Sequence, residues 1–155
     1  YAVPQNQKLI KTIEHLNIAL DEYEKLEDKL GISRCKFLAG QLFEHFRTSM
    51  FSNARQLLEH NNPSEWAKIK NQVTDVKINF DSKFEPYNDK DIDSNLQSLK
   101  SKLTSQVSEL EKGLLFYQIG QLYEKKMTNF LHDALNIFKE INLVEAQLII
   151  NKYKS

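Results

Sequence analysis

The sequence predicts an all-α fold, an antiparallel bundle of about six helices built from two related three-helix units, the second of them truncated. Apolar residues recur at spacings of three and four along most of the 155-residue chain, and this spacing places them on one face of a helix. Glycine and proline are scarce, with four and three copies, which favours long uninterrupted elements over a turn-rich β-sandwich. An internal repeat is the third observation that supports this fold.

The repeat has an offset of 80 residues. Residues 39–75 align with residues 119–155 and share ten identities in 37 positions, more than two unrelated segments would share. A fixed period of this kind identifies the building block of a fold. We therefore expect a single helical domain over 1–155, with an internal repeat formed by 1–86 and 89–155.

A glycine is shared by the two aligned segments. Gly40 and Gly120 both lie within a predicted helix, where glycine costs up to about 1 kcal/mol relative to alanine. Because the same cost recurs at the same place, we expect each glycine to allow close approach of another helix. Each is followed by glutamine, leucine and an aromatic residue.

The first two helices are predicted from their stripes and from their end signals. The first begins near Pro4, since proline suits a first helical turn, and Gly31 is the predicted stop. Ser33 is the predicted cap of the second helix, which ends at Asn61. The apolar stripe of the first helix comprises Leu9, Ile13, Leu16, Leu20, Tyr23 and Leu30.

A third helix is predicted from Pro63 to Phe84. Asn62 can cap it, Pro63 suits its first position, and Glu65 completes a capping box. Apolar residues then continue in steps of three and four at Trp66, Ile69, Val73, Val76, Phe80 and Phe84. The loop Pro86–Asp89 follows, at the point where one repeat should pass to the next.

The second half of the chain is predicted to contain three more helices. One unbroken helix over 89–140 would be about 78 Å long, too long for a compact domain of this size. Gly113 or Gly120 is therefore the expected site of a break or a bend, and Gly113 is favoured. The fifth helix ends near Ile141, and Asn142 caps a short sixth helix that ends near Tyr153.

Composition excludes several classes of protein. Twenty-one basic and 21 acidic side chains give a formal net charge of zero, so the phosphate neutralisation on which nucleic-acid binding depends is not expected. No apolar run approaches the roughly 20 residues of a membrane span. The single cysteine, Cys35, rules out an intramolecular disulfide and a cysteine-based zinc site, and we expect its thiol to be buried.

The sequence contains no motif for metal binding or catalysis. None of the four histidines follows a glutamate at the spacing of a di-iron bundle or a zinc protease. Asp89, Asp91 and Asp93 alternate as in a calcium loop, but Ser94 and Lys100 stand where that loop needs glycine and glutamate. We therefore expect the three acids to stabilise a helix start, and we predict no enzyme activity and no cofactor.

Aromatic residues supply the remaining functional hypothesis. We predict a non-catalytic protein-binding module whose partner surface includes parts of the second and fifth helices. The alternative is a carrier that encloses a hydrophobic small molecule or lipid, and aromatic anchors are enriched in both kinds of site. The candidate contacts are Phe43, Phe46, Trp66, Tyr117 and Tyr123.

Cellular location is predicted only weakly by the sequence. The chain begins at Tyr1 without a methionine, so it is either a processed mature form, which favours secretion, or a trimmed chain. The sequence Asn62-Pro63-Ser64 is blocked as a glycosylation site by its proline, and this points away from secretion. We expect a secreted protein, with the cytoplasm as the alternative.

Overall fold

The computed structural model describes residues 3–73, 76–80 and 83–153, and this part of the chain is helical and contains no β-strand, which confirms the predicted class. A 3₁₀ turn at Lys70–Val73 follows the third helix. The α-helices of the described residues are α1 (Val3–Lys25), α2 (Lys29–Asn61), α3 (Pro63–Ile69), α4 (Asp89–Thr104), α5 (Glu109–Ile141) and α6 (Leu143–Tyr153).

The described residues form two compact units. Unit 1 draws on residues 44–75 and 87–126, which supply the second half of α2, α3, the 3₁₀ turn, α4 and the first half of α5. Unit 2 draws on residues 2–43, 76–86 and 127–155, which supply α1, the first half of α2, an extended segment, the second half of α5 and α6. Each unit therefore combines parts of both predicted repeats.

In unit 1, α2 and α5 pack antiparallel, and two glycines of α5 face α2. A Cβ added at Gly120 would lie 2.4 Å from Cε1 of Phe51, and one added at Gly113 would lie 2.8 Å from Cδ2 of Leu58. Real Cβ atoms do not approach neighbours so closely. The expectation that Gly120 allows close helix approach is confirmed, and Gly113 has the same role.

The predicted break at Gly113 or Gly120 is wrong. α4 ends at Thr104 and α5 begins at Glu109, so both glycines lie inside α5. Ser108 caps α5, because its Oγ accepts a hydrogen bond from the Glu111 N–H at 3.1 Å and its carbonyl accepts one from the Lys112 N–H at 2.9 Å. The Ser-x-x-Glu sequence at 108–111 is a capping box, and it marks the true start of the helix.

Unit 2 contains a similar antiparallel pair. A Cβ added at Gly40 would lie 2.8 Å from Cδ2 of Leu131, which again confirms the expected close approach. Lys36 pairs with Asp133 of α5 at 3.2 Å. Exposed ion pairs of this kind contribute little to stability, so the buried apolar contacts hold the pair together.

The predicted junction between the first two helices is wrong as well. α1 ends at Lys25, and Glu27 takes a left-handed conformation with φ 54°. The Asp28 N–H donates back to the Tyr23 carbonyl at 2.9 Å, and the Asp28 carboxylate accepts from the Gly31 N–H at 3.0 Å. Asp28 therefore caps α2, and Gly31 and Ser33 lie within its first turns. Gly31 is needed there because a Cβ would lie 2.3 Å from the Tyr23 ring.

The third helix is much shorter than predicted. α3 ends at Ile69, and residues 76–80 are not helical. Val76, Ile78 and Phe80 are less exposed than Lys77 and Asn79, an alternation that is typical of an extended segment packed on one side. The Ile78 N–H donates to the carbonyl of Tyr153 in α6 at 2.8 Å, so this segment belongs to unit 2.

The predicted caps of α3 and α6 are confirmed. Asn62 Oδ1 accepts from the Glu65 N–H at 3.2 Å, and Asn142 Oδ1 accepts from the Glu145 N–H at 3.2 Å. Cys35 is buried, as expected, and forms no disulfide. No helix in the described ranges combines the length and apolar character needed to span a membrane.

Each unit has its own group of buried apolar side chains. In unit 1 they include Phe46, Met50, Phe51, Leu57, Leu58, Ile92, Leu96, Phe116, Tyr117, Ile119 and Tyr123. In unit 2 they include Cys35, Phe43, Ile78, Met127, Leu131, Leu135, Phe138, Ile149 and Tyr153.

Candidate functional site

Four of the five predicted contact residues are buried in the structure. Phe43, Phe46, Tyr117 and Tyr123 are between 5% and 9% exposed. Phe46 packs on Tyr123 with ring centroids 5.3 Å apart, while Phe43 stacks on another ring of unit 2 at 5.7 Å. These rings contact other side chains of the chain itself, so a partner would reach them only if the helices separated.

Tyr117 connects the 3₁₀ turn to α5. Its hydroxyl donates to the Gln72 side-chain oxygen and accepts from Nε2 of Gln121 at 3.1 Å. Burial raises the pKa of the Tyr117 hydroxyl, and the nearby Glu124 carboxylate raises it further. A neutral, hydrogen-bonded tyrosine is therefore favoured, and it holds the 3₁₀ turn against α5.

Trp66, the fifth predicted residue, lines an open pocket of unit 1 that we term the cationic pocket. The pocket has a volume of about 510 Å³, which is within the usual range for ligand sites. It lies between α2 on one side and α3 with the 3₁₀ turn on the other. Its lining residues are Arg47, Thr48, Phe51, Ser52, Arg55, Trp66, Lys70, Asn71 and Val73.

Three cations and two aromatic rings set the chemistry of the cationic pocket. Arg47 is only 4% exposed. Its guanidinium lies 4.7 Å from the Phe51 ring centroid, and its Nε lies 3.4 Å from the Glu124 carboxylate. These contacts fix the position of a buried positive charge. Arg55 and Lys70 are exposed at the same pocket, so the pocket combines positive charge with flat apolar surface.

Two of the three cations of this pocket lie in ion pairs of unit 1. Arg55 pairs with Glu59 at 2.8 Å, and Arg47 pairs with Glu124 at 3.4 Å. Lys70 is exposed, so a ligand in the pocket can reach its amino group.

A second, smaller pocket of unit 1 lies between α4 and α5. Its volume is about 360 Å³, and polar and charged residues line it together with Leu99 and Leu122. It lacks the buried charge of the cationic pocket. Its lining residues are Asn95, Ser98, Leu99, Lys102, Gln118, Gln121, Leu122 and Lys125.

Unit 2 presents an exposed apolar surface where α5 passes to α6, and we term it the α5–α6 face. It consists of Ile141, Leu143, Val144 and Leu148, which are 40%, 73%, 73% and 62% exposed. Val144 and Leu148 are four residues apart on α6 and therefore share one face of that helix, while Ile141 is the last residue of α5. The opposite side of α6 carries the residues that pack into unit 2.

His132 is a buried titratable group of unit 2. It is 6% exposed and stacks on Phe84 at 3.8 Å between ring centroids, with Phe80 tilted at 5.0 Å. Burial lowers the pKa of His132, while the neighbouring Asp133 carboxylate acts in the opposite direction. Burial also raises the pKa of the Cys35 thiol. Within the ranges described, no three His, Cys, Asp or Glu side chains are grouped so that they could hold a metal ion.

The predicted helix-start role of the acids near residue 90 agrees with the structure. Asn88 caps α4 by accepting from the N–H groups of Lys90 and Asp91. Asp89 and Asp91 lie in the first turn, where negative charge is favourable. Asp93 instead pairs with Lys126 of α5 at 2.7 Å.

Comparison with known proteins identifies no relative. No protein-family model matches the chain, and neither a curated protein nor a solved structure matches it with significance. The functional interpretation therefore rests on the residues and their geometry.

Sequence reasoning missed the charged residues of the cationic pocket and the exposed residues of α6. Arg47 and Arg55 lie on α2, while Lys70 follows α3 and has no motif spacing to them, so only the fold brings the three together. A signal for the α5–α6 face does exist. Leu143, Val144 and Leu148 fall outside the stripe of the buried Ala146, Ile149 and Tyr153, and a helix with two apolar faces leaves one of them without a partner inside the unit.

Proposed function

We propose that this protein acts without catalysis, by binding another protein through the α5–α6 face. The supporting observation is the exposure of Leu143, Val144 and Leu148, each more than 60% accessible. Single exposed apolar residues are ordinary on protein surfaces. A contiguous group on one short helix is not, and such groups mark interaction sites.

Packing within unit 2 does not require these side chains. α6 is held by the buried residues Ala146, Ile149 and Tyr153 and by the cap at Asn142. An ion pair between Arg34 and Glu145 at 2.9 Å also joins α6 to α2. Because these contacts already secure the helix, the α5–α6 face is a surface that the fold does not use.

The spacing of Val144 and Leu148 favours an amphipathic helix of the partner as the ligand. These two residues lie four apart on α6, a spacing that helices use to pack against each other. Helical partners of this kind bind through a few apolar anchors along one face. Val144 and Leu148 should contribute most of the binding energy.

A display experiment tests this proposal. A library of 16-residue peptides with helical apolar patterns is selected on the full chain, and the selected peptides are measured by titration calorimetry. We expect binding that is lost in the Val144→Asp and Leu148→Asp double variant, since a carboxylate on each anchor would have to be desolvated. The chosen residues are exposed, so the double variant should keep its circular dichroism and melting temperature.

Leu26 provides the matched control. It is 73% exposed, like Val144, and it follows the end of α1. Leu26→Asp should bind the selected peptides as the parent does. If the selected peptides bind the double variant as well as the parent, the α5–α6 face is not the binding site. A library that yields no binder would also contradict the proposal.

We also infer that the chain arose by duplication of a three-helix segment. α2 and α5 each contain 33 residues and begin 80 residues apart. Their caps, Asp28 and Ser108, share the offset, and so do the Asn62 and Asn142 caps of the helices that follow. Adding 80 to the range 44–75 of unit 1 gives 124–155, which lies almost wholly in unit 2.

The glycine contacts support the same inference. Gly40 faces Leu131, and Gly120 faces Phe51. Adding 80 to Gly40 gives Gly120, and subtracting 80 from Leu131 gives Phe51, so the two contacts join corresponding positions. Chance would not be expected to place two such contacts at matching sites.

The hydrophobic-carrier alternative remains a prediction of the sequence alone, because the two pockets described above are open and have polar and charged side chains among their lining residues. Secretion also remains a prediction of the sequence alone.

A further inference from the structure

We propose that the cationic pocket of unit 1 binds an extended peptide of a partner protein that carries an aromatic residue next to carboxylates. This inference builds on the proposed protein-binding role and adds a second site, in the other unit, with a stated ligand chemistry. It is argued from the way unit 2 fills the corresponding position with a segment of this chain.

In unit 2, the described residues of the segment that follows α3 contact α5 through two aromatic rings and α6 through one main-chain hydrogen bond. Phe80 and Phe84 lie on the ring of His132 in α5. The Ile78 N–H donates to the carbonyl of Tyr153 at the end of α6. The segment thus packs through one main-chain hydrogen bond and two aromatic rings. When an extended peptide binds a protein, main-chain hydrogen bonds usually supply affinity and side-chain contacts supply specificity.

The residues that hold this segment correspond to residues of the cationic pocket. Subtracting 80 from His132 gives Ser52, and subtracting 80 from Tyr153 gives Val73. Both line the cationic pocket. The position that unit 2 fills with an extended aromatic segment is therefore an open pocket in unit 1.

Three positions are charged in the cationic pocket of unit 1 and apolar in unit 2, and this difference indicates the charge of the ligand. Arg47, Arg55 and Lys70 of the pocket correspond to Met127, Leu135 and Ile150 of unit 2. Met127 and Leu135 are 0% and 1% exposed, so unit 2 excludes charge at the positions where unit 1 supplies it. Unit 1 therefore offers positive charge at positions where unit 2 has apolar side chains, so a ligand that carries carboxylates is complementary to the pocket.

Trp66 supplies an additional surface for an aromatic residue. Its counterpart in unit 2 is Ala146, which is 3% exposed, whereas Trp66 is half-buried at the pocket wall. A tryptophan ring next to arginine and lysine binds a planar ring and its neighbouring carboxylate together. The pocket is thus suited to an aromatic residue with an adjacent aspartate or glutamate.

The extended segment itself provides a template for the test peptide. Its sequence contains Phe80-Asp81 and Phe84-Glu85, two aromatic–acidic pairs. The probe is an 11-residue synthetic peptide with the sequence of residues 76–86 in which Lys77 and Lys83 are replaced by glutamate. A second peptide with Phe80→Ala and Phe84→Ala tests the aromatic requirement, and a third with all acids replaced by their amides tests the charge requirement.

Trp66 is the only tryptophan of the chain, so its fluorescence reports binding in the pocket directly. We expect the first peptide to change the Trp66 emission saturably, and the second and third peptides to have little effect. Raising the salt concentration should weaken binding, because exposed charges are screened.

Variants of the two exposed cations locate the site. Arg55→Gln with Lys70→Gln should weaken the peptide by about tenfold or more, since each charge-assisted hydrogen bond contributes roughly 1.5–3 kcal/mol. Lys68→Gln is the matched control, because Lys68 is also exposed on α3 and does not line the pocket. This control should bind as the parent does.

The proposal is overturned if the peptide causes no saturable change, or if it binds the Arg55→Gln, Lys70→Gln variant as tightly as the parent. It is also overturned if light scattering shows that the chain dimerises and that the peptide dissociates the dimer, since a second copy would then be the occupant. Helical peptides selected on the α5–α6 face are measured on the same variants. If they still bind, the pocket proposal has failed alone and the proposed function stands.

Discussion

Gly120 and Phe51 approach so closely that an alanine Cβ at position 120 would lie 2.4 Å from Cε1 of the phenylalanine ring. The ring cannot move away freely, because Phe51 is 4% exposed and packs against Tyr117 and the Arg47 guanidinium. The absence of a side chain at Gly120 of α5 therefore allows Phe51 of α2 to pack closely in unit 1.

Gly120→Ala should destabilise the protein even though alanine is the better helix former. The intrinsic preference favours alanine by about 1 kcal/mol, whereas overpacking of a buried site costs about 1–3 kcal/mol. We expect a net loss of about 1 kcal/mol in the free energy of unfolding, measured by urea denaturation. Phe51→Leu should recover part of the loss in the double variant, because it removes the ring that the new methyl group meets. A stabilised Gly120→Ala variant would disprove the close contact.

Glu27→Gly should stabilise the junction between α1 and α2. Glu27 has φ 54°, and a left-handed conformation costs a residue with a Cβ about 1–2 kcal/mol. Glycine removes this cost but makes the unfolded chain more flexible, so we expect a gain of about 1 kcal/mol. Thermal denaturation gives the measurement, and Glu27→Ala, which keeps the Cβ, should show no such gain. Equal effects of the two variants would argue against a left-handed residue at this junction.

The stability of the protein should decrease as the pH falls below about 6.5, the ordinary pKa of histidine. Burial lowers the pKa of His132 in the folded state, so the unfolded chain binds a proton that the folded chain does not. The loss of stability is absent when the pH lies above the pKa of His132 in the unfolded chain. It is complete when the pH lies below the pKa of His132 in the folded protein. Asp133 moderates the effect and Lys139 adds to it.

The measurement is the free energy of unfolding from pH 8 to pH 5, with His132→Gln as the test variant. Replacement removes the titrating group, so the dependence between pH 7 and pH 5 should flatten. His60 is exposed, and His60→Gln should leave the slope as it is in the parent. A parent slope that survives His132→Gln would assign the pH dependence to other groups.

Ser108→Ala should weaken the start of α5. The Ser108 hydroxyl accepts the Glu111 N–H at 3.1 Å, and loss of an N-cap side chain costs about 1 kcal/mol. Ser108→Asp should keep the parent's stability, since aspartate is also a good cap. The comparison is made by urea denaturation, with replacement of the exposed Gln106 by alanine as a control in the same linker. If Gln106→Ala is as harmful as Ser108→Ala, the Ser108 hydroxyl is not the cap.

The sequence predicted the features that depend on local chemistry. The spacing of apolar residues predicts helices, because one face of a helix must be buried in any fold. The Asn62 and Asn142 caps depend on hydrogen bonds that span only three residues. The role of Gly40 and Gly120 was predicted because glycine destabilises a helix interior. The close approach of another helix explains why this cost occurs at the same place in two helices.

The errors occurred where a contact distant in sequence outweighs the local signal. Residues 76–80 continue the helical spacing of α3, yet a hydrogen bond to Tyr153 and burial of Ile78 in unit 2 favour the extended form. Gly31 and Gly113 were predicted as stops because glycine often ends helices. In the structure, each lies within a helix and faces a side chain, Tyr23 or Leu58.

By itself, the sequence determined the helical class, the two confirmed caps and the close contacts of the paired glycines, since each follows from interactions within a few residues or from a repeated local cost. Only the tertiary structure decided which apolar side chains are buried and which form the α5–α6 face. It also brought Arg47, Arg55, Trp66 and Lys70 to one pocket. The reason is that exposure and charge density depend on which helices meet, and that pairing is fixed by the packing of the whole unit.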